Sequence, residues 1–193
     1  MTIPRKWRLL SSQLVFNHRW CQVRQDVVAL PNGTIVDDFF VNVRPDIALI
    51  LPITVDRQVV FVRQYRHGVG EILLELPAGT FDPTSENAEA AVLRELQEET
   101  GYTSTCLTKL ATLYDNPVKD TNRIHLFKAD PVQPVTEQTL DLTEEIEVVL
   151  VPIAQIPEKI LAGDLQVAGT LAALLLGLML NPTPSLGDFQ EKL

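Results

Sequence analysis

Short apolar-rich runs separated by turn residues make up the first forty-odd positions. Residues 7–16 and 19–29 read as strands, Pro31-Asn32-Gly33 as a turn, and residues 34–43 as a third strand. The apolar run from Ile47 to Thr54 predicts a buried strand. Asp56-Arg57 then turns the chain into its hairpin partner, Val59-Val60-Phe61-Val62. A strand over about 72–76 leads into Leu76-Pro77-Ala78-Gly79-Thr80-Phe81-Asp82-Pro83, where prolines and glycine predict a turn-rich loop. From 86 to 100 the period becomes helical. Ala88, Ala91, Val92 and Leu96 share one face, and Ser85 or Asn87 can cap the N-terminus. Strands follow near 106–114, 122–129 and 145–151, and helices over about 153–162 and 165–180. This order predicts an α+β fold: an α/β/α sandwich with a mixed sheet and helices on its faces.

The 86–100 helix ends in concentrated charge, Arg94-Glu95-Leu96-Gln97-Glu98-Glu99-Thr100-Gly101-Tyr102. Glu95 stands three residues before Glu98 and four before Glu99, so all three carboxylates project to one side. Each such like-charged pair costs a bare helix about 0.2–0.5 kcal/mol. Gly101 is a stop signal, and the negative pole of the helix dipole adds to the repulsion there. A cation removes it, and hard carboxylate oxygens suit Mg²⁺ or Mn²⁺. An isolated run of this kind is equally well a solvated acidic face. Its surroundings decide between the two.

Glu86 lies eight residues before Arg94. With Gly79, Glu95, Leu96, Glu98, Glu99, Gly101 and Tyr102, these residues resemble the Nudix box, G-x5-E-x7-R-E-U-x-E-E-x-G-U, where U is aliphatic or aromatic. One departure is visible: six residues, not five, separate Gly79 from Glu86. The spacing from Glu86 to Tyr102 is intact, which puts the extra residue in the loop around Pro83-Thr84-Ser85. An insertion there is cheap, whereas a register shift in the helix would scatter the carboxylates.

From about Trp7 to Leu180 the chain resembles the ADP-ribose pyrophosphatase branch of that family. The landmarks are Trp20-Cys21-Gln22-Val23-Arg24, Leu30-Pro31-Asn32-Gly33, Val62-Arg63-Gln64-Tyr65-Arg66, Glu75-Leu76-Pro77-Ala78-Gly79, Glu144-Glu145-Ile146-Glu147-Val148-Val149, and Pro117, fifteen residues after Tyr102. The resemblance implies Mg²⁺-dependent (or Mn²⁺-dependent) hydrolysis of ADP-ribose to AMP and ribose 5-phosphate. Two alternatives stay open. One is another nucleoside diphosphate sugar, such as ADP-glucose or GDP-mannose. The other is a non-catalytic ADP-ribose sensor, against which the intact Glu95, Glu98 and Glu99 argue. The resemblance also implies a homodimer, with residues 1–45 as an N-terminal β region used for dimerisation, 46–180 as the hydrolase core and 181–193 as a tail.

Roles follow from the same comparison. Glu95 and Glu99, with Glu98 close behind, are the expected metal ligands, joined by the backbone carbonyl of Ala78. Arg94 and Glu86 are expected to orient the carboxylates, as an arginine fork can. The general base is Glu144 or its neighbour Glu145, unless that segment is only an acidic loop, and Glu147 alternates within the strand. Arg66 is the candidate for phosphate, with a surface arginine as the plain alternative. Trp20 and Trp7 offer faces for adenine, against ordinary core packing. Arg123 and His125 alternate on a strand and are expected to share a face, with Arg123 toward substrate.

Composition narrows the partners. At 193 residues the chain suits one domain, able to bury roughly 70% of its unfolded surface. Its formal net charge of −9 and lack of a basic cluster exclude nucleic acid. Cys21 and Cys106 have no metal-ligand spacing and read as reduced thiols of a cytoplasmic protein. The residues from Met1 to Lys6 lead into Trp7 without the apolar core of a leader. Val167–Leu180 is strongly apolar but spans 14 residues, short of the ~20 of a membrane helix, so a buried helix and no membrane contact are expected. The stretch from Asn181 to Asp188 reads as extended.

Overall fold

The computed structural model describes residues 3–180, and the expected tail at 181–193 lies outside them. The chain forms two compact units. One runs to Asp46 and includes Tyr114–Arg123; the other comprises Ile47–Leu113 and the described residues from Ile124 onward.

The first unit is a three-stranded antiparallel sheet in the order β1 (Arg8–His18), β2 (Cys21–Ala29), β3 (Ile35–Val43). His18 pairs with Cys21, so Arg19 and Trp20 form the tight turn between β1 and β2. At the next turn Leu30 and Thr34 close the loop, and Gly33 takes the left-handed conformation that favours glycine (φ 89°). Every residue of β1 is exposed, including Leu9, Leu14 and Phe16. The 114–123 segment is bound to the end of β3. The Asn42 N–H donates to the Lys119 carbonyl (2.7 Å), and Arg44 pairs with Asp115 and Asp120.

The second unit holds an eight-stranded mixed sheet whose main path runs β11 (Ile146–Pro152), β5 (Gln58–Arg66), β4 (Asp46–Thr54), β10 (Arg123–Pro134), β8 (Tyr102–Thr103). β6 (Glu71–Glu75) pairs with β5, β7 (Ala78–Phe81) with β4, and β9 (Leu107–Tyr114) with β10. β4 and β10 are parallel, and β5 is antiparallel to β11 and to β6. Alternation divides the core in two. Ala48, Ile50, Val60 and Phe127 face α1 (Ala88–Thr100) through Ala91, Val92 and Leu96. Leu49, Leu51, Val59 and Phe61 face α2 (Ile156–Ala162) and α3 (Ala168–Leu174) through Ile156, Ala173 and Leu174. The α/β/α sandwich on a mixed sheet is therefore present, with α1 the one helix on its face of the sheet among the described residues.

Local differences from the sequence reading have physical causes. The expected loop after Pro77 contains β7, because the side of β4 away from β10 still needs partners before Ile53, where β5 joins it, and Ile50 donates to the Pro77 carbonyl (3.0 Å). α1 begins at Ala88 rather than at 86. The Glu86 N–H is already engaged by the Asp82 carbonyl, and Asn87 is the cap, its side chain accepting from the Ala90 N–H (2.7 Å). The 165–180 helix is α3 followed by a π-helical turn over Leu175–Leu180. No described helix is long and apolar enough to cross a membrane.

Candidate active site

The acidic turn of α1 is held at its end by Gly101, whose φ of 75° and N–H bond to the Gln97 carbonyl terminate the helix. Glu99, in the last turn, faces inward at 4% exposure, and the Ala78 N–H donates to its Oε2 (3.0 Å). One turn earlier, the Glu95 carboxyl lies against Gly79 with no space for a Cβ between them. β7 and α1 are thus fitted together by a glycine and by a backbone donor.

Arg94 gathers the remaining acids. Its Nη1 donates to Glu95 Oε1 and to Glu98 Oε2, both at 2.8 Å, while Nε and Nη2 reach the two Glu86 oxygens at 3.3 and 3.2 Å. The hydrogen bonds to Glu86 are the main reason its guanidinium is held above its ordinary pKa. Glu86 precedes α1, and its turn is fastened by Asp82. The carboxylate of Asp82 accepts from the N–H and hydroxyl of Thr84, and both bonds pull its pKa down.

Burial is the chief cause that raises Glu95, opposed by Arg94 and reinforced by the charges of Glu98 and Glu144. Burial also pushes Glu99 up to about 8, and the charges of Glu95 and Glu144 add to it against the Ala78 N–H and Arg66. A hard divalent cation fits this donor set chemically, since it would favour the charged form of each acid. Among the described residues no three acidic, histidine or cysteine side chains already converge at ligand spacing. Glu95 and Glu98 instead share the charge of Arg94.

The strand beside α1 separates the two neighbouring acids of the 144–147 segment. Ile146 of β11 pairs with Gln64 of β5, and extending that register sets Glu144 opposite Arg66, on the α1 face. The charge of Glu144 is accordingly felt by Glu95 and Glu99. Its carboxylate accepts from the Asp141 N–H (3.0 Å). Glu145 falls on the other side and lines a cavity of about 240 Å³ with Arg63, Tyr65, Ile72 and Glu147. Glu147 is ion-paired to Arg63 (2.7 Å). Arg66 is held by Glu75, a buried residue whose carboxylate accepts from Arg66 Nε (2.6 Å).

Arg66, Ala78, Arg94, Glu95, Glu98, Glu99, Glu144 and Glu145 all belong to the second unit; Trp7, Trp20 and Arg123 belong to the first. Trp20 is 74% exposed with the Arg19 guanidinium over its ring (4.8 Å), and Trp7 is exposed with its ring edge-on to Phe39 (5.7 Å). Neither tryptophan packs in a core. The Arg123 guanidinium lies over Tyr114 (5.7 Å), while His125 packs edge-on to Phe81 (5.4 Å).

Two contributors were not assigned a role from sequence. Glu75 counted only as a landmark, although a lone acid closing the apolar Ile72-Leu73-Leu74 run was a visible signal. Gln138 carried no signal; its Nε2 bridges the carbonyls of Glu99 (2.6 Å) and Ile146 (3.2 Å), tying α1 to β11.

Residues 43–170 match the NUDIX domain model, and residues 7–42 match that of the nucleoside diphosphate sugar hydrolase N-terminal domain. The chain is 30% identical over 147 residues to a Bacillus subtilis protein named ADP-ribose pyrophosphatase, covering 76% of this chain and 78% of that one. It is 32% identical over 126 residues to a Cronobacter sakazakii protein named GDP-mannose pyrophosphatase, covering 61% and 65% respectively. A solved structure described as an ADP compounds hydrolase superposes with a TM-score of 0.80 at 26% identity, over 92% of this chain and 95% of that one.

Proposed function

This chain belongs to the Nudix family, and we propose that it hydrolyses the diphosphate bond of ADP-ribose to AMP and ribose 5-phosphate with Mg²⁺ or Mn²⁺. The observation that carries this reading is the placement of Glu95, Glu99 and Glu144 on the α1 face of the sheet, near enough that the charge of Glu144 raises Glu95 and the charges of Glu95 and Glu144 raise Glu99. Such a cluster invites a cation, and Arg66 beside it offers charge to a phosphate. When bound, the divalent ion offsets the diphosphate charge and favours loss of a proton from water.

Glu95 and Glu99 are the proposed ligands, with Glu98 and the Ala78 carbonyl completing the protein's share. Glu95 and Glu98 would have to give up Arg94 Nη1 to hold the ion, and Arg94, anchored on Glu86, would orient the two carboxylates. Glu144 accepts the proton of the water that attacks phosphorus, the bridging P–O bond breaks, and the displaced phosphate leaves with its oxygen. The strand alternation that sends Glu145 toward Arg63 and Tyr65 supports Glu144 as the base. Arg66, braced by Glu75, binds the diphosphate. Trp20 stacks on adenine, with Trp7 and Arg123 as further substrate contacts.

The exposed apolar residues of β1 support a homodimer formed through the N-terminal sheet. Two free, exposed cysteines suit a reducing cytoplasm, and the net charge of −9 disfavours nucleic acid. A second reading, a different nucleoside diphosphate sugar, draws on the GDP-mannose pyrophosphatase relative, since acids that act on the diphosphate do not read base or sugar. The test is purified protein with Mg²⁺ and a panel of ADP-ribose, ADP-glucose and GDP-mannose, following AMP or GMP. The highest kcat/KM on ADP-ribose supports the first reading and on GDP-mannose the second. Silence on all three with Mg²⁺ and Mn²⁺ removes both of these substrate readings.

A further inference from the structure

Gln64 lies in the middle of β5, only 7% exposed, and its Nε2 has no hydrogen-bond partner among the described residues. Native proteins seldom leave a buried amide donor unused. Alternation puts Gln64 on the sheet face that carries Val60 and α1, two residues before Arg66 on the same face. Ile146 is its partner on β11, two residues beyond Glu144, and Leu73 is its partner on β6. Gln138 ties the Ile146 and Glu99 carbonyls together, so the acidic end of α1 closes over this part of β5.

The carboxylates of that neighbourhood each take a different donor. Glu99 takes the Ala78 N–H, Glu144 takes the Asp141 N–H, and Glu75 takes Arg66. A neutral N–H set among carboxylates, next to an arginine, suits a phosphate oxygen. It supplies a donor without the cost of burying another charge.

We infer that Gln64 is a further catalytic residue whose side-chain amide donates to a non-bridging oxygen of the phosphoryl group under attack. This rests on the hydrolase reading above. Charge grows on that oxygen as water adds, so the bond strengthens between ground state and transition state. The donor therefore acts on kcat more than on KM.

The experiment compares Gln64→Met and Gln64→Leu with wild type on the nucleoside diphosphate sugar panel with Mg²⁺, recording kcat, KM and Tm. Both variants remove an unpaired buried amide, so Tm is expected at or above the wild-type value. In Gln64→Met, kcat is expected to fall about 10²–10³-fold with KM changed by less than about threefold. Wild-type kcat in Gln64→Met overturns the inference, as does a loss confined to KM or one that follows a fall in Tm. Failure of the hydrolase reading is a separate result: the wild type itself would then be silent on the whole panel.

Discussion

Gly79 on β7 and Glu95 on α1 are in such close contact that the Glu95 carboxyl fills the space a Cβ on residue 79 would occupy. Gly79→Ala must therefore push Glu95 aside or part β7 from α1. The expected loss of kcat is about 10²-fold, the size of effect that a shift of about 1 Å produces in a reacting group. Overpacking is expected to cost about 1–3 kcal/mol of stability. Steady-state kinetics across Mg²⁺ concentrations provide the check. Undiminished turnover at the wild-type Mg²⁺ requirement would mean that Glu95 need not stand where it does.

Glu99→Gln keeps the side chain's shape and removes its charge. With Mg²⁺, kcat should fall by two orders of magnitude or more, about 3 kcal/mol of barrier. Glu95→Gln should behave similarly. If both variants turn over near the wild-type rate, the cation is held elsewhere.

The same glutamate gives the metal-free protein a pH signature. Its pKa is pushed from 4.5 up to about 8 by burial, with Glu95 and Glu144 adding to the rise. Between those values the native state holds a proton that the unfolded chain has released, so stability decreases as pH rises. The contribution is complete below about pH 4.5 and declines by up to about 1.4 kcal/mol per pH unit on the way to 8. In chelator, Tm should drop across this window in wild type and change much less in Glu99→Gln. Added Mg²⁺ should oppose the drop by binding the ionised form. A wild-type Tm that is level from pH 5 to 8 would contradict the burial argument.

Glu144→Gln and Glu145→Gln separate the two faces of the chain beside β5. The first should lower kcat about 10²–10⁴-fold with little change in KM, as loss of a general base does. The second, which lines the cavity with Arg63 and Tyr65, should stay within about threefold of wild type. Equal losses in both would point to the segment as a whole rather than to one carboxylate.

Trp20→Ala tests base stacking. The residue is exposed, so Tm should barely move. A base–aromatic stack is worth about 1–3 kcal/mol, so KM for adenine substrates should rise about tenfold with kcat nearly preserved. An identical KM would remove Trp20 from the substrate contacts.

How far the chain could be read without its fold depends on the distance between the residues concerned. The acidic turn is local: Glu95, Glu98 and Glu99 face one way because the helix repeats every 3.6 residues, and Gly101 stops it because few other residues take φ 75° cheaply. Asn87 as a cap, the strands of the first unit and the apolar run of β4 depend on similarly short stretches, and those readings hold. The Pro-Gly composition at β7 signals turns, while the side of β4 that recruits it is remote in sequence. Glu144 and Glu145 are chemically identical neighbours, and only the pairing of Ile146 with Gln64 sends them to opposite faces. Arg66 on Glu75, Gln138 between Glu99 and Ile146, and Gly79 against Glu95 are likewise contacts between different elements. Periodicity and capping are properties of one segment, so the helix, its charged face and the kind of chemistry it suits are written in a short stretch of residues. Register and burial arise only when segments pack, so the tertiary structure decided which carboxylates share a face and how strongly they hold their protons.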